Sequence, residues 1–167
     1  EDPAVVRYYT FEDVGGDGAV ANVAGWGGGM EFTGEGPAKM RVVRGRWNWK
    51  KAVRLDGGTL AAEPFEVGER GFGVEMWLRT HGKGAVPGPS IRNRGTLMAV
   101  GSGYRRGWRL TMNYPDGNLE FELGRREGPV GARTTDGVPD GVWHHVAATW
   151  DRERIRLYVD GVLRASV

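Results

Sequence analysis

The sequence predicts an all-β fold, two antiparallel sheets packed face to face as a sandwich. Three observations carry that prediction. Glycine takes 29 of the 167 positions and proline another 8, a composition suited to many turns between short strands. Apolar residues recur at every second position in several short segments, the period of a strand with one buried face. Phe72–Leu78, for example, sets Phe72, Val74, Met76 and Leu78 on one side and Gly73, Glu75 and Trp77 on the other. Finally, Asp160-Gly161 joins two such segments. Asp-Gly is a strong hairpin signal, because a type I′ turn needs positive φ at both central positions.

Taken in order, Ala4–Phe11 reads as an opening strand, broken by the glycine-rich Glu12–Gly18. Asn22–Gly29 is a second glycine-rich loop, and Met30–Thr33 and Lys39–Val43 read as short strands. Arg44–Lys51 (RGRWNWKK) sets two tryptophans among basic residues, ahead of strands at Ala52–Leu55 and Thr59–Ala62. After Phe72–Leu78 comes the longest loop, His81–Gly95. Thr96–Val100, Trp108–Asn113 and Leu119–Leu123 follow as strands, the last two joined by the turn chemistry of Tyr114-Pro115-Asp116-Gly117. Leu119, Phe121 and Leu123 face one way and Glu120 and Glu122 the other, which predicts a sheet with one wet side. Val142–Trp150, Ile155–Val159 and the segment beginning at Val162 form a closing meander, with Asp151–Arg154 at its first turn. No amphipathic helix and no internal repeat is read.

The length fits a single domain over residues 1–167, enough to bury roughly two-thirds of its unfolded surface. The net charge of +2 gives no bulk attraction to nucleic acid or a membrane. The absence of cysteine removes any disulfide framework. No apolar run approaches the ~18 residues of a spanning helix, so membrane insertion is not expected. The chain opens Glu1-Asp2-Pro3 with neither methionine nor signal peptide, which fits a fragment of a larger multidomain protein.

Several of these segments carry a resemblance. Trp143–Asp151 (WHHVAATWD) followed by Ile155–Gly161 (IRLYVDG) resembles the signature of laminin G-like domains, which belong to the concanavalin A-like lectin/glucanase sandwiches. Phe72–Leu78 (FGVEMWL), Lys51–Gly57 (KAVRLDG) and Val6–Asp13 resemble further strands of that family, in the expected order. The resemblance implies a two-sheet jelly roll. It implies a non-catalytic recognition module of an extracellular, periplasmic or cell-surface protein, binding a polysaccharide, a glycoconjugate or a neighbouring protein domain. A ligand-free spacer is the alternative, and a degenerate glycoside hydrolase a third reading. The family continues with a further strand pair beyond Val162–Val167. The sandwich is therefore expected to lack its last strands here, leaving an edge for another chain or segment to complete.

Candidate chemistry follows from residue types and spacing. Glycoside hydrolysis needs two carboxylates ~5–10 Å apart. Glu120 and Glu122 have a suitable i, i+2 spacing, with Glu75 alone elsewhere, but they read as a solvated sheet face, and catalysis is not expected. Of His144 and His145, one is expected to point inward onto a backbone or carboxylate partner. The resemblance implies a calcium site at a loop edge, with Glu12, Asp13, Asp17 and Asn22 as its candidate oxygen ligands. The alternative is that these are turn residues, and Asn22 and Trp26 already depart from the family's Asp-Ser-Ser-Gly-Asn-like turn there.

Up-and-down strand order from Phe72 onward would gather three connections at one end: Ser102–Gly107 (SGYRRG), Gly124–Pro129 (GRREGP) and Asp151–Arg154 (DRER). That rim would hold Tyr104, Arg105, Arg106, Trp108, Arg125, Arg126, Arg152 and Arg154. Such side chains suit an acidic glycan or acidic protein surface, through guanidinium forks and aromatic faces, or else form a solvated edge. Trp26, Trp47 and Trp49 are read either as a sugar platform or as pins holding a loop over a sheet edge.

Overall fold

The computed structural model describes residues 5, 7–24, 27–34, 39–64, 71–81, 94–101, 107–114 and 116–167. Among them no helix occurs, and twelve strands follow in chain order. These are β1 (Met30–Thr33), β2 (Lys39–Arg44), β3 (Lys51–Asp56), β4 (Thr59–Ala62), β5 (Phe72–Leu78) and β6 (Arg94–Val100). They continue as β7 (Trp108–Asn113), β8 (Leu119–Leu123), β9 (Val130–Arg133), β10 (His144–Trp150), β11 (Ile155–Val159) and β12 (Val162–Ser166). The chain divides into two compact units, Glu1–Pro64 and Phe65–Val167.

The second unit is an antiparallel sandwich. One sheet has the order β12-β11-β10-β5, the other β6-β7-β8-β9. Alternation decides which side chains meet between them. Leu110, Met112, Leu119, Phe121, Val146, Ala148 and Leu157 are essentially without exposure, and Phe72, Val74 and Met76 pack against that cluster. Phe72 lies 5.7 Å from Trp108 and 5.9 Å from Trp150, ring centre to ring centre, bridging the sheets with aromatic faces.

The first unit contains two separate ribbons, β1–β4 and β2–β3. Val20 bridges to both Val14 and Met30, and Val20 and Ala24 are its buried hydrophobic residues among those described.

Two expectations are corrected. Residues 7–11 form no strand. The backbone groups of Tyr8 go instead to a turn: its N–H donates to Asn22 Oδ1 at 2.9 Å and its carbonyl accepts from Val23 N–H at 2.8 Å, while Phe11 takes a positive φ of 59°. A side-chain amide oxygen and a backbone N–H thus satisfy groups that a ladder would otherwise use. The outer face of β8 is not fully solvated, since Glu122 is only 9% exposed and Thr111, which stands across the ladder from Glu120, is buried too. The structure also adds a strand, β9, where no element was read. It is short, and its Gly131 comes so close to Phe121 that an added Cβ would stand 2.5 Å from that carbonyl oxygen.

β12 is an edge of its sheet, with Val162 and Leu163 about half exposed.

Candidate functional site

The rim is built by hairpin geometry. Trp108 opens β7 opposite Leu123, which closes β8, and Gly124 N–H donates to Gly107 O at 2.9 Å. The connections before β7 and after β8 therefore leave the same end of the sandwich. Phe72 pairs with Trp150 at the close of β10 and touches Trp108, so the β10–β11 turn leaves that end as well. Arg125, Arg126, Arg152 and Arg154 are all exposed on these turns. Tyr104, Arg105 and Arg106 lie outside the described residues, as does Trp26. Trp108 is corrected: at 4% exposure its ring belongs to the core and cannot stack on a ligand.

Asp151 fixes the β10–β11 turn. Its Oδ1 accepts the N–H groups of Arg154 at 2.7 Å and Glu153 at 3.1 Å, and its Oδ2 lies 2.5 Å from Arg156 Nη1. The backbone donor of Arg154, the Arg156 guanidinium and the Glu153 donor together hold the carboxyl pKa down at about 2. In exchange the Asp151 carboxylate raises Arg156. Arg152 takes the positive φ of the turn, 83°.

The second turn of the meander shows what the paired histidines do. His144 points inward, with Nδ1 2.7 Å from Asp160 Oδ2. Asp160 Oδ1 accepts His145 N–H at 2.9 Å, and Asp160 N–H donates to His145 O at 2.8 Å. One carboxylate thus ties the Asp-Gly turn to the start of β10. His145 faces outward, 5.0 Å from the Trp77 ring, with Nε2 3.4 Å from Glu75 Oε2.

The calcium candidates do not form a cage. Asn22 Oδ1 accepts N–H groups from Tyr8 and Ala24, and Asp17 Oδ1 accepts from Ala19 N–H. Glu12 Oε1 faces Lys50 Nζ at 3.5 Å, and Asp13 is exposed. Among the described residues no three acidic, imidazole or thiol side chains gather as a metal site. Asp17 borders an open cleft of about 420 Å³ whose wall includes Lys39 and Arg41, cations that oppose a divalent ion. These residues do not fit calcium; they act as turn and ion-pair residues.

Of the β8 carboxylates, Glu122 is engaged within the sheet: its Oε2 lies 2.5 Å from Arg109 Nε on the neighbouring strand.

The register of β2 and β3 creates a cluster that residue-by-residue reading did not find. Arg41 stands directly opposite Arg54, and Lys39 opposite Asp56. Asp56 bridges the arginines, Oδ2 to Arg41 Nη2 at 2.7 Å and Oδ1 to Arg54 Nε at 2.9 Å. Its pKa is lowered, first by the Arg54 hydrogen bond. The Lys-x-Arg and Arg-x-Asp spacings on adjacent strands were the available signal. At the hairpin tip, Trp47 is partly covered by the Arg46 guanidinium, 4.7 Å from its ring centre, whereas Trp49 stands open.

Comparison with known proteins agrees with this architecture. No curated protein matches the chain. Among solved structures, an S-layer domain-containing protein from Clostridium thermocellum (residues 221–444) superposes with a TM-score of 0.51 at 19% identity. That match covers 96% of this chain and 71% of the other. Domains LG4-5 of the mouse laminin alpha1 chain superpose with a TM-score of 0.43 at 19% identity, over 68% of this chain and 36% of theirs. A laminin G-type family model, described as the Concanavalin A-like lectin/glucanases superfamily, matches residues 55–167. That is well over half of the sequence, and the chain belongs to this laminin G-type family, whose domains are binding or structural modules and generally not catalysts.

Proposed function

We propose that this chain is a non-catalytic recognition module of an extracellular or cell-surface protein, and that its arginine rim binds acidic glycans. One observation carries the reading: Arg125, Arg126, Arg152 and Arg154 are exposed on two turns that leave the same end of a rigid sandwich. Loops mounted on such a scaffold are where recognition residues collect. Guanidinium forks match the two oxygens of a carboxylate or sulfate. Glu127, Asp151 and Glu153 share the turns, but Asp151 directs its charge to its own turn and to Arg156. Calcium has no part in this reading.

The test is a glycan array of carboxylated, sulfated and neutral members, probed with and without a chelator. Binding confined to the acidic members and indifferent to chelation is expected. The Arg125→Ala/Arg126→Ala/Arg152→Ala/Arg154→Ala variant should lose about tenfold or more in affinity. Undiminished binding by that variant would remove the rim from the site. A chain that binds no glycan at all is a spacer.

A further inference from the structure

We propose that the β2–β3 hairpin is a second recognition element, an arm that holds an extended carboxylated polysaccharide along its cationic face with Trp49 stacked on a sugar ring. The proposal takes its ligand class from the acidic-glycan reading above and adds a site in the other unit.

Charge is the first reason. Residues 39–56 carry seven lysines and arginines against the single carboxylate of Asp56, a local charge of +6 in a chain whose net charge is +2. The hairpin is thus far more basic than the rest of the molecule, and a field of one sign attracts a polyanion. The cations divide by face. Glu12 takes up Lys50 and Lys51: its Oε1 faces Lys50 Nζ, its backbone carbonyl accepts from Lys51 Nζ at 2.8 Å, and its Oε1 accepts Lys51 N–H at 3.3 Å. Lys50 belongs to the tip turn, and Lys39, Arg41 and Arg54 lie on the face opposite Lys51, because cross-strand partners share a side and successive strand residues alternate.

That face already displays the chemistry it would recognise. Two arginines directly opposite one another repel, and Asp56 relieves the repulsion by lying between them. The Arg41 and Arg54 side chains nevertheless remain 61% and 45% exposed. Asp56, with Asp17 bordering the same cleft as Lys39 and Arg41, still leaves two guanidiniums and the Lys39 ammonium in excess. A second carboxylate, brought by a ligand, would meet donors whose geometry Asp56 has shown to suit that group. At ~3.3 Å per residue, β2 is long enough to follow several sugar rings.

The tip supplies the apolar contact. Gly45 N–H donates to Lys50 O at 2.7 Å and Lys50 N–H to Trp47 O at 3.0 Å, so the turn is fixed. On it Trp49 is 74% exposed, an indole face open to a pyranose ring. Because the turn is already ordered, little further ordering is needed on binding. The same tip argues against a membrane. Arg46, Asn48 and Lys50 surround Trp49, and burying them in an apolar layer would be costly.

The experiment uses oligogalacturonate as the probe, titrated into the whole chain at low salt with chelator present, alongside dextran, dextran sulfate, single-stranded DNA and anionic vesicles. Oligogalacturonate should bind and dextran should not. Arg41→Gln/Arg54→Gln should weaken binding about tenfold. Trp49→Ala should weaken it about fivefold, and Trp49→Tyr should restore it. Circular dichroism and thermal melts of each variant guard against misfolding. Wild-type affinity in the hairpin variants, with loss in the rim variant, overturns this proposal and leaves the rim reading standing. The reverse pattern supports the hairpin and removes the rim. Binding of sulfated dextran, DNA or vesicles as tightly as oligogalacturonate, with the same sensitivity to Arg41→Gln/Arg54→Gln, overturns the carboxylated ligand.

Discussion

The Phe65–Val167 unit and the Glu1–Pro64 unit use strands for opposite ends. In the former, two four-stranded sheets close on Leu110, Leu119, Phe121 and Leu157, each with no exposure. In the latter, strands pair only two by two, and no residue of β2 or β3 is fully buried. A lone two-stranded ribbon is marginal in water, whereas stacked sheets bury enough apolar area to hold their register. The same local pattern, alternation of apolar and polar residues, therefore gives stacked four-stranded sheets around a core in one unit and two-stranded ribbons among the described residues of the other.

The largest expected effect tests that contrast directly. Phe121→Ala removes a fully buried ring that touches both Phe72 and Trp108, and should cost about 3–5 kcal/mol in denaturant unfolding. Val42→Ala, at a side chain 46% exposed on β2, should cost no more than about 0.5 kcal/mol. Comparable losses for the two would break the comparison.

A smaller effect is expected where the sandwich turns sharply. Gly107 has φ +96°, and a Cβ there would collide with the Val100 carbonyl across the strand end. Gly107→Ala should cost about 1–3 kcal/mol from the strained backbone. Thermal unfolding would read that cost. An unchanged midpoint would mean that this end of the sandwich yields more easily than its packing implies.

How far the sequence could be read follows the same division. Phe72–Leu78, Trp108–Asn113, Leu119–Leu123 and Ile155–Val159 were legible to the residue, because each alternates cleanly and ends at turn chemistry. Val130–Arg133 was not: with four residues and a glycine, its strand exists only because β8 templates it. The opening segment misled because its alternation is real, yet the partner of its backbone is the Asn22 side chain, a tertiary fact. That the turns after β8 and β10 share one end was legible because antiparallel hairpins force alternate connections to one end. Trp108 was misplaced because position beside a loop does not tell on which face a strand's first residue points. Opposition of Arg41 and Arg54 depends on the register across the Gly45–Lys50 connection, and register is what a one-residue change in a turn would shift.

The smallest expected effect separates two surface carboxylates, one from each unit, whose pKa values are both lowered. Asp151 is held near 2 chiefly by backbone donors within its own turn, Asp56 chiefly by the side chain of Arg54. A carboxyl whose folded-state pKa lies below its unfolded value adds stability that is complete above the unfolded value. That stability is lost as pH falls through the folded one. For Asp151 the loss should therefore run between about pH 4 and pH 2. The midpoint difference between wild type and Asp151→Ala should be full at neutral pH and close as pH 2 is approached. Salt then distinguishes the pair. The Asp56 contribution is an exposed charge interaction and should shrink in 1 M sodium chloride, where the screening length is about 3 Å. The N–H groups of Glu153 and Arg154 reach Asp151 at hydrogen-bond distance, so its contribution should persist. Equal salt sensitivity in Asp56→Ala and Asp151→Ala would mean that both are held by diffuse charge, and that the turn of the sandwich is no more internally fixed than the face of the hairpin.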